Sequence, residues 1–348
     1  MGSHQAIELI ADDIIELEKR AEFNQLIGRE TKDLSTKEWE LVILGAGPAA
    51  LNAALYAARK GIEVLLLTKD IGGQVITTNE IDNYLGKAET TGAELIYDFW
   101  DHISKYDVET VIGEEAVEIA DKDNKKMIKT DNDKEYLTES VIIATGAEPR
   151  KLGLEKEDKF RGSGVSYCAT CDGAFYKGDE IAVVGGGNVA LEEADYLTQF
   201  GSKVYLIHRR SEFRGTEILS DRVKNNDKIE ILWNNEVTEI LGEDSLSGIV
   251  VENNKTGERK ELSNVKGFFI AIGYDPRTEL FEDDIELDEK KYIVTNRKQE
   301  TNKEGIYAAG DVQDSSYRQV ITSAAAGAKA AMEVNQYITS LKGDSVYV

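Results

Sequence analysis

Cysteine, proline, histidine and tryptophan are all scarce in this 348-residue chain, which holds two Cys, three Pro, three His and three Trp. A structural zinc site usually takes four Cys or His ligands, and His4, His102 and His208 form no spaced set with the cysteines, so no metal is expected. No run approaches the ~18 apolar residues that cross a bilayer. The opening is acidic and polar rather than a signal peptide, so a cytoplasmic protein without a membrane partner is expected. Basic residues are also short. Lys and Arg number 41 against 65 Asp and Glu, a formal net charge of -24. Such a surface repels phosphate backbones, which argues against a nucleic-acid partner. At 38.6 kDa the chain has room for about two domains.

What is present is concentrated in a few places. The only cysteines, Cys168 and Cys171, form one Cys-x-x-Cys, which without further ligands reads as a redox dithiol. Two intervening residues bring both sulfurs together when the segment makes a helical turn, and a helix N-terminus favours the thiolate of the leading Cys168. Asp172 adjoins the second cysteine and can exchange a proton with a leaving thiolate; its alternative is a turn-former before Gly173. Residues 5–37 carry Ile7, Ile10, Ile14, Leu17 and Ala21 at steps of three and four, the pattern of an amphipathic helix.

From Glu40 the pattern becomes strand, glycine turn, helix, strand. Leu41–Leu44 is a buried-strand run, and Gly45-Ala46-Gly47-Pro48-Ala49-Ala50 follows it. The first Gly permits the tight turn, the second lets backbone amides approach a pyrophosphate, and small Ala50 allows close helix packing. The helix start then offers N–H donors and a positive dipole end to an anion. The same unit recurs at Ile181–Val184 and Gly185-Gly186-Gly187-Asn188-Val189-Ala190. Two such fingerprints in full context point to a protein that holds two nucleotides.

The prolines punctuate this plan. Pro149 and Pro276 close two similar segments, Ile143–Arg150 and Ile270–Arg277, each leaving a buried strand through Gly and meeting extended backbone. They read as crossovers into and out of an inserted domain that carries the second fingerprint and the dithiol.

Beyond each fingerprint lies the ribose end of the nucleotide. In the second unit that place holds His208-Arg209-Arg210 and Arg214, a local positive cluster suited to a 2′-phosphate and therefore to NADPH. In the first unit it holds Thr68-Lys69-Asp70, where Asp70 can take ribose hydroxyls, followed by the slim loop Gly72-Gly73-Gln74, suited to a flat ring.

From Glu40 onward the chain resembles the bacterial low-molecular-weight thioredoxin reductases and the reductase portion of alkyl hydroperoxide reductase flavoproteins. The motifs are Gly45-x-Gly47-x-x-Ala50, Gly72-Gly73-Gln74, Cys168-x-x-Cys171-Asp172, Gly185-x-Gly187-x-x-Ala190, His208-Arg209-Arg210-x-x-x-Arg214, Gly310-Asp311-Val312 and Tyr317-Arg318-Gln319. The resemblance implies an α/β protein of two Rossmann-like, three-layer dinucleotide-binding domains, the second inserted in the first, behind an N-terminal helical extension. The expected division is 1–37 for the extension, 38–148 and 276–348 for the FAD domain, and 149–275 for the NADPH domain.

It further implies FAD contacts from Gly45, Gly47, Pro48, Ala49, Ala50, Gly72, Gly73, Gln74, Asn83, Thr145, Gly146, Gly310, Asp311, Arg318, Gln319 and Val320. NADPH contacts fall to Gly185, Gly187, Asn188, Val189, Ala190, His208, Arg209, Arg210 and Arg214. By the same resemblance Cys171 faces the flavin, Cys168 attacks the protein substrate, Asp172 is the acid/base, and the protein is a homodimer. Electrons then pass from NADPH through FAD to the disulfide and on to thioredoxin or a thioredoxin-like protein, with a rotation about the two crossovers during turnover.

The chain departs from the family pattern in two places. Asn188-Val189-Ala190 stands where Asp-Ser-Ala is usual, so Val189 has no hydroxyl for the pyrophosphate. Tyr84-Leu85-Gly86 stands where Trp-Pro-Gly is common. Three other readings remain open at this point: a reductase for a peroxiredoxin system, a ferredoxin-dependent flavin thioredoxin reductase, and a non-enzymatic nucleotide-binding redox sensor.

Overall fold

The computed structural model describes residues 33–78 and 80–343. The expected helix within residues 5–37 falls largely outside them. The described chain divides into two compact units, one running to Glu148 and resuming at Asp275, the other spanning Pro149–Tyr274.

The first unit is built on a mixed sheet ordered β3-β2-β1-β6-β5-β4. Its strands are β1 (Glu38–Leu44), β2 (Val64–Thr68), β3 (Val108–Ile112), β4 (Ala116–Lys122), β5 (Lys125–Thr130) and β6 (Glu135–Ile143). The β3-β2-β1-β6 half is parallel, whereas β5 and β4 run antiparallel beyond it. Strand β6 shares its outer edge: Tyr136–Thr138 pair with β5, and Val141–Ile143 pair with β17 (Ile306–Ala308).

Alternation explains why the central strands are apolar throughout. Leu41 and Ile43 of β1 point into a core under helices α1 (Pro48–Ala58), α2 (Gly92–Ile103) and α6 (Val320–Leu341), while Val42 and Leu44 face a second core with Phe281, Ile285, Ile293 and Val312. A strand buried on both faces has no polar side to show. Each such side chain contributes roughly 1.5–3 kcal/mol by leaving water.

Pro48 opens α1 at its first turn, where a missing N–H costs nothing. Helix α6 lies hard against α1. A Cβ on Gly327 would sit 2.0 Å from the Ala49 carbonyl oxygen, and Asn52 Nδ2 donates to the Ala324 carbonyl at 2.6 Å.

The second unit repeats the plan. A parallel sheet ordered β11-β10-β9-β15-β8 comprises β8 (Val165–Ser166), β9 (Glu180–Gly185), β10 (Lys203–His208), β11 (Ile229–Trp233) and β15 (Val265–Ala271). Ile181 and Val183 of β9 face a core with α4 (Asn188–Leu197) and α5 (Glu217–Lys224). Ala182 and Val184 face the antiparallel β12 (Asn235–Gly242), β13 (Leu246–Asn253) and β14 (Arg259–Leu262). The short strands β7 (Ala147–Pro149) and β16 (Tyr274–Pro276) carry the two crossover prolines, and α3 (Ala169–Asp172) is a single turn holding the second cysteine. Among the described residues no helix is long and apolar enough to cross a membrane.

Candidate active site

In the first unit, Gly45 has φ +110° and no room for a side chain, since a Cβ would meet the Ala144 carbonyl oxygen at 2.5 Å. Gly47 caps α1 without a side-chain hydrogen bond. The amides of Ala49 and Ala50 therefore start a helix that has no intrahelical acceptor to offer them. The second glycine loop closes on the first: Gly72 N–H donates to the Ala46 carbonyl at 2.9 Å, and a Cβ on Gly73 would lie 3.6 Å from Gly47 Cα. A Cβ on Gly146 would meet nothing within 4 Å. These backbones form a surface bare of side chains beside uncapped N–H groups, a fit for a pyrophosphate and a flat ring. Gln74 Nε2 is turned to the Ala147 carbonyl, which ties this loop to the end of β6.

The C-terminal motif joins the same face. A Cβ on Gly310 would sit 2.9 Å from Ala49 Cβ, so that turn lies directly against the start of α1. Asp311 Oδ1 accepts from Ser323 Oγ at 2.9 Å, and burial pushes its carboxyl above the ordinary range against the pull of that bond and of Arg318. Gly310, Asp311, Gln313 and Ser323 line a small recess. Asn83 Nδ2 donates to Gln319 Oε1 at 3.3 Å, joining two expected flavin residues 236 positions apart. Arg318 takes a φ of +47° and reaches the Tyr292 hydroxyl at 3.3 Å, with Val320 half-buried at the head of α6. Thr145 donates to the Arg277 carbonyl at 2.9 Å. Asp70 is held in the field of Arg277 and Glu148, with burial raising its carboxyl first of all.

In the second unit a Cβ on Gly185 would fall 2.4 Å from the Ala271 carbonyl oxygen and 2.5 Å from Ala190 Cβ, so only small residues suit either place. Gly187 caps α4 with no side-chain bond and with open space at its Cβ position. Asn188 Oδ1 accepts from the Thr216 N–H at 2.8 Å, and Arg214 N–H donates to the Gly186 carbonyl at 2.8 Å, folding the basic loop back over the glycine turn. Val189 is exposed on the first turn of the helix.

The basic cluster splits into a buried part and an exposed part. The His208 ring is buried under Gly186, where a Cβ would lie 2.1 Å from it, beside Phe213 and Trp233. Its Nε2 meets the Glu212 carbonyl at 2.9 Å, and burial lowers its pKa, so a neutral, packed imidazole cannot serve as a phosphate cation. Arg209, Arg210 and Arg214 are exposed, and no ion pair engages them among the described residues.

The dithiol is oxidised. Cys168 and Cys171 are disulfide-bonded with Cα atoms 5.3 Å apart, both half-buried, across the single turn α3. So short a turn has little dipole; the direct donor to Cys168 Sγ is the Cys171 N–H at 3.2 Å. Asp172 stands next in the chain, its carboxyl raised chiefly by burial and lowered by the Ser166 hydrogen bond and by Arg161.

Four further residues here were not anticipated. Ser166 Oγ lies 2.6 Å from Asp172 Oδ2. Tyr167 donates to the buried Glu157 at 2.7 Å, and Glu157 also accepts the N–H groups of Leu152, Gly153 and Leu154 at 2.8–3.1 Å. Arg161 lies 5.4 Å from the centre of the Tyr167 ring. The only sequence signal was the position of Ser166, two residues ahead of Cys168.

The pyridine nucleotide-disulphide oxidoreductase family pattern matches residues 39–328. The chain is 44% identical over 305 residues to the thioredoxin reductase of Rickettsia prowazekii, covering 86% of this chain and 98% of that one. It belongs to this family, among the thioredoxin reductases. The Bacillus subtilis thioredoxin reductase is 41% identical over 308 residues, covering 88% and 96% of the two chains. The thioredoxin reductase structure from Streptococcus pyogenes superposes with a TM-score of 0.83 at 39% identity, over 87% of this chain and 99% of that one. The chain is therefore a flavoprotein disulfide oxidoreductase of two Rossmann-like domains, with FAD and NADPH as its cofactors. The glycine cradles and uncapped helix starts fit that pair.

Proposed function

We propose that this enzyme reduces the disulfide of thioredoxin, or of a thioredoxin-like protein, with electrons from NADPH. FAD, when bound, supplies the two-electron relay between the nicotinamide and the Cys168–Cys171 pair. Gly45, Gly47, Gly72, Gly73, Gly146, Gly310 and Asp311 would hold the FAD, with Asn83 and Gln319 at its ring. Gly185, Gly187 and the amides of α4 would hold the NADPH pyrophosphate, and Arg209, Arg210 and Arg214 its 2′-phosphate. Cys168 would attack the partner disulfide, Cys171 would resolve the mixed disulfide, and Asp172 would carry the proton.

The observation that carries this reading is the redox pair itself: a formed disulfide beside a half-buried carboxyl, on a unit that also carries a glycine turn and the exposed Arg209, Arg210 and Arg214. An exposed cationic cluster on a chain of net charge -24 favours a dianionic 2′-phosphate over a bare ribose. The names of the relatives supply thioredoxin as the acceptor. A division at Pro149 and Pro276 into an interrupted FAD domain and an inserted NADPH domain, a homodimer and a cytoplasmic location complete the reading.

Anaerobic titration of the FAD-loaded enzyme tests it. NADPH should bleach the flavin at stoichiometric amounts and NADH only at large excess, followed by turnover with thioredoxin disulfide. Bleaching by neither nucleotide would turn the reading toward reduced ferredoxin, a donor that exposed Val189 does not oppose.

A further inference from the structure

We infer that Ser166 is a positioning residue of the redox centre, its hydroxyl tying the Asp172 carboxyl to the backbone of Cys168 and so fixing where the proton of sulfur exchange is held. The inference rests on the proposed roles of Cys168, Cys171 and Asp172.

Ser166 ends β8 in register with Phe269 of β15, and it is 3% exposed. A hydroxyl buried this deeply must be bonded. It has one proton to give, and gives it to Asp172 Oδ2 at 2.6 Å. Its oxygen accepts the Cys168 N–H at 3.0 Å. The Asp172 N–H in turn donates to the Cys168 carbonyl at 3.1 Å. Asp172 and Cys168 are thus fastened twice, once from the carboxyl through the serine and once backbone to backbone, and the serine is itself anchored to a five-stranded sheet.

Two groups act on the Asp172 carboxyl besides burial. Ser166 makes the largest opposing contribution, and Arg161, on the segment ahead of β8, adds a smaller one in the same direction. Tyr176, one turn on, is pushed up to about 12 by burial and then by Asp172 and Asp179, so it stays neutral at working pH. Asp172 is the member of this group that titrates during turnover.

Its use follows from the exchange chemistry. The Cys168 thiolate attacks the partner disulfide, and the first partner sulfur leaves as a thiolate. The Cys171 thiol then gives its proton to the Asp172 carboxylate as its sulfur attacks Cys168 Sγ, which closes the Cys168–Cys171 bond. The second partner sulfur leaves and takes that proton from Asp172. Two electrons move from the chain's dithiol to the partner. The first transfer needs an ionised, aimed carboxylate, which burial opposes and Ser166 favours.

The test compares FAD-loaded wild type with Ser166→Ala, Ser166→Thr, Asp172→Asn and the Ser166→Ala/Asp172→Asn double variant, measuring kcat and KM for thioredoxin disulfide across pH. Ser166→Ala should move the acidic limb of the kcat profile up by about one unit or more, with KM unchanged. The infrared carboxyl band assigned by difference against Asp172→Asn should titrate upward by the same amount. Ser166→Thr, which keeps the hydroxyl, should restore the wild-type limb. In the Asp172→Asn background the serine change should cost less than about twofold. A Ser166→Ala profile that overlays the wild type, or a loss that is uniform in pH and persists in the Asp172→Asn background, overturns the inference alone. An Asp172→Asn enzyme with the wild-type profile removes the proton carrier and the inference with it.

Discussion

The backbone N–H of Cys171 points at the sulfur of Cys168 across 3.2 Å. On reduction this amide stabilises negative charge on the Cys168 sulfur. We expect iodoacetamide to label Cys168 of the reduced enzyme about tenfold faster than Cys171 at pH 7, read by peptide mass mapping. Cys171→Ser should trap a mixed disulfide with thioredoxin, while Cys168→Ser should trap none. Equal labelling, or trapping by the wrong variant, would reverse the assignment.

Asp172 has a second consequence, for stability. Its folded carboxyl is raised by burial, so the folded state binds the proton more readily than the unfolded chain. The associated stabilisation is complete below the unfolded pKa and is lost as pH rises through the folded one. At neutral pH the ionised group is therefore a burden, and Asp172→Asn should melt higher than wild type at pH 7. The difference should shrink toward zero as pH falls below about 3.9, the ordinary Asp value. Activity moves the other way, with kcat for thioredoxin falling about 100-fold. A melting difference independent of pH would show that the carboxyl is not desolvated.

Much of the site could be read from the sequence because glycine and charge act locally. Gly45 and Gly185 were legible since a strand-to-helix turn with no room for a Cβ demands glycine whatever surrounds it. The arginines were legible because three cations on an acidic chain stand out. The burial of His208 was not legible, because the direction of a side chain at the end of a strand is set by packing: the ring fills the space under Gly186. Ser166, Glu157 and Tyr167 were silent for a related reason. Their partners lie three to ten residues away through bonds that only the folded loop creates. The approach of α6 to α1 through Gly327 was likewise hidden in an ordinary alanine-rich helix.

The three arginines should act on donor choice rather than on chemistry. Each guanidinium that grips a 2′-phosphate contributes roughly 1.5–3 kcal/mol, about a tenfold change in affinity or more. Arg209→Ala, Arg210→Ala and Arg214→Ala should each raise KM for NADPH by about tenfold where the side chain makes such a bond, with KM for NADH and kcat unchanged. The triple variant should lose its preference and much of the salt dependence of NADPH binding. His208→Asn, by contrast, should lower the melting temperature without changing the NADPH-to-NADH ratio, because the ring is a packed and neutral group. Should the histidine change alter donor preference, the burial argument is wrong.

Two adjacent glycines of the second turn separate folding from ligand approach. A methyl on Gly186 would lie 2.1 Å from the His208 ring, which is wedged beside Phe213 and Trp233 and cannot withdraw. Gly186→Ala should therefore destabilise the protein by about 1–3 kcal/mol, the usual cost of overpacking. A methyl on Gly187 would meet nothing within 4 Å, and its φ of -94° suits any residue. Gly187→Ala should leave the melting temperature of the NADPH-free enzyme unchanged or slightly higher, since it restricts the unfolded chain. That methyl stands where backbone would approach a pyrophosphate, so KM for NADPH should rise about tenfold while flavin content stays constant. The comparison needs only thermal melts, flavin absorbance and steady-state kinetics. A Gly187→Ala enzyme with wild-type NADPH affinity would place the nucleotide away from the start of α4.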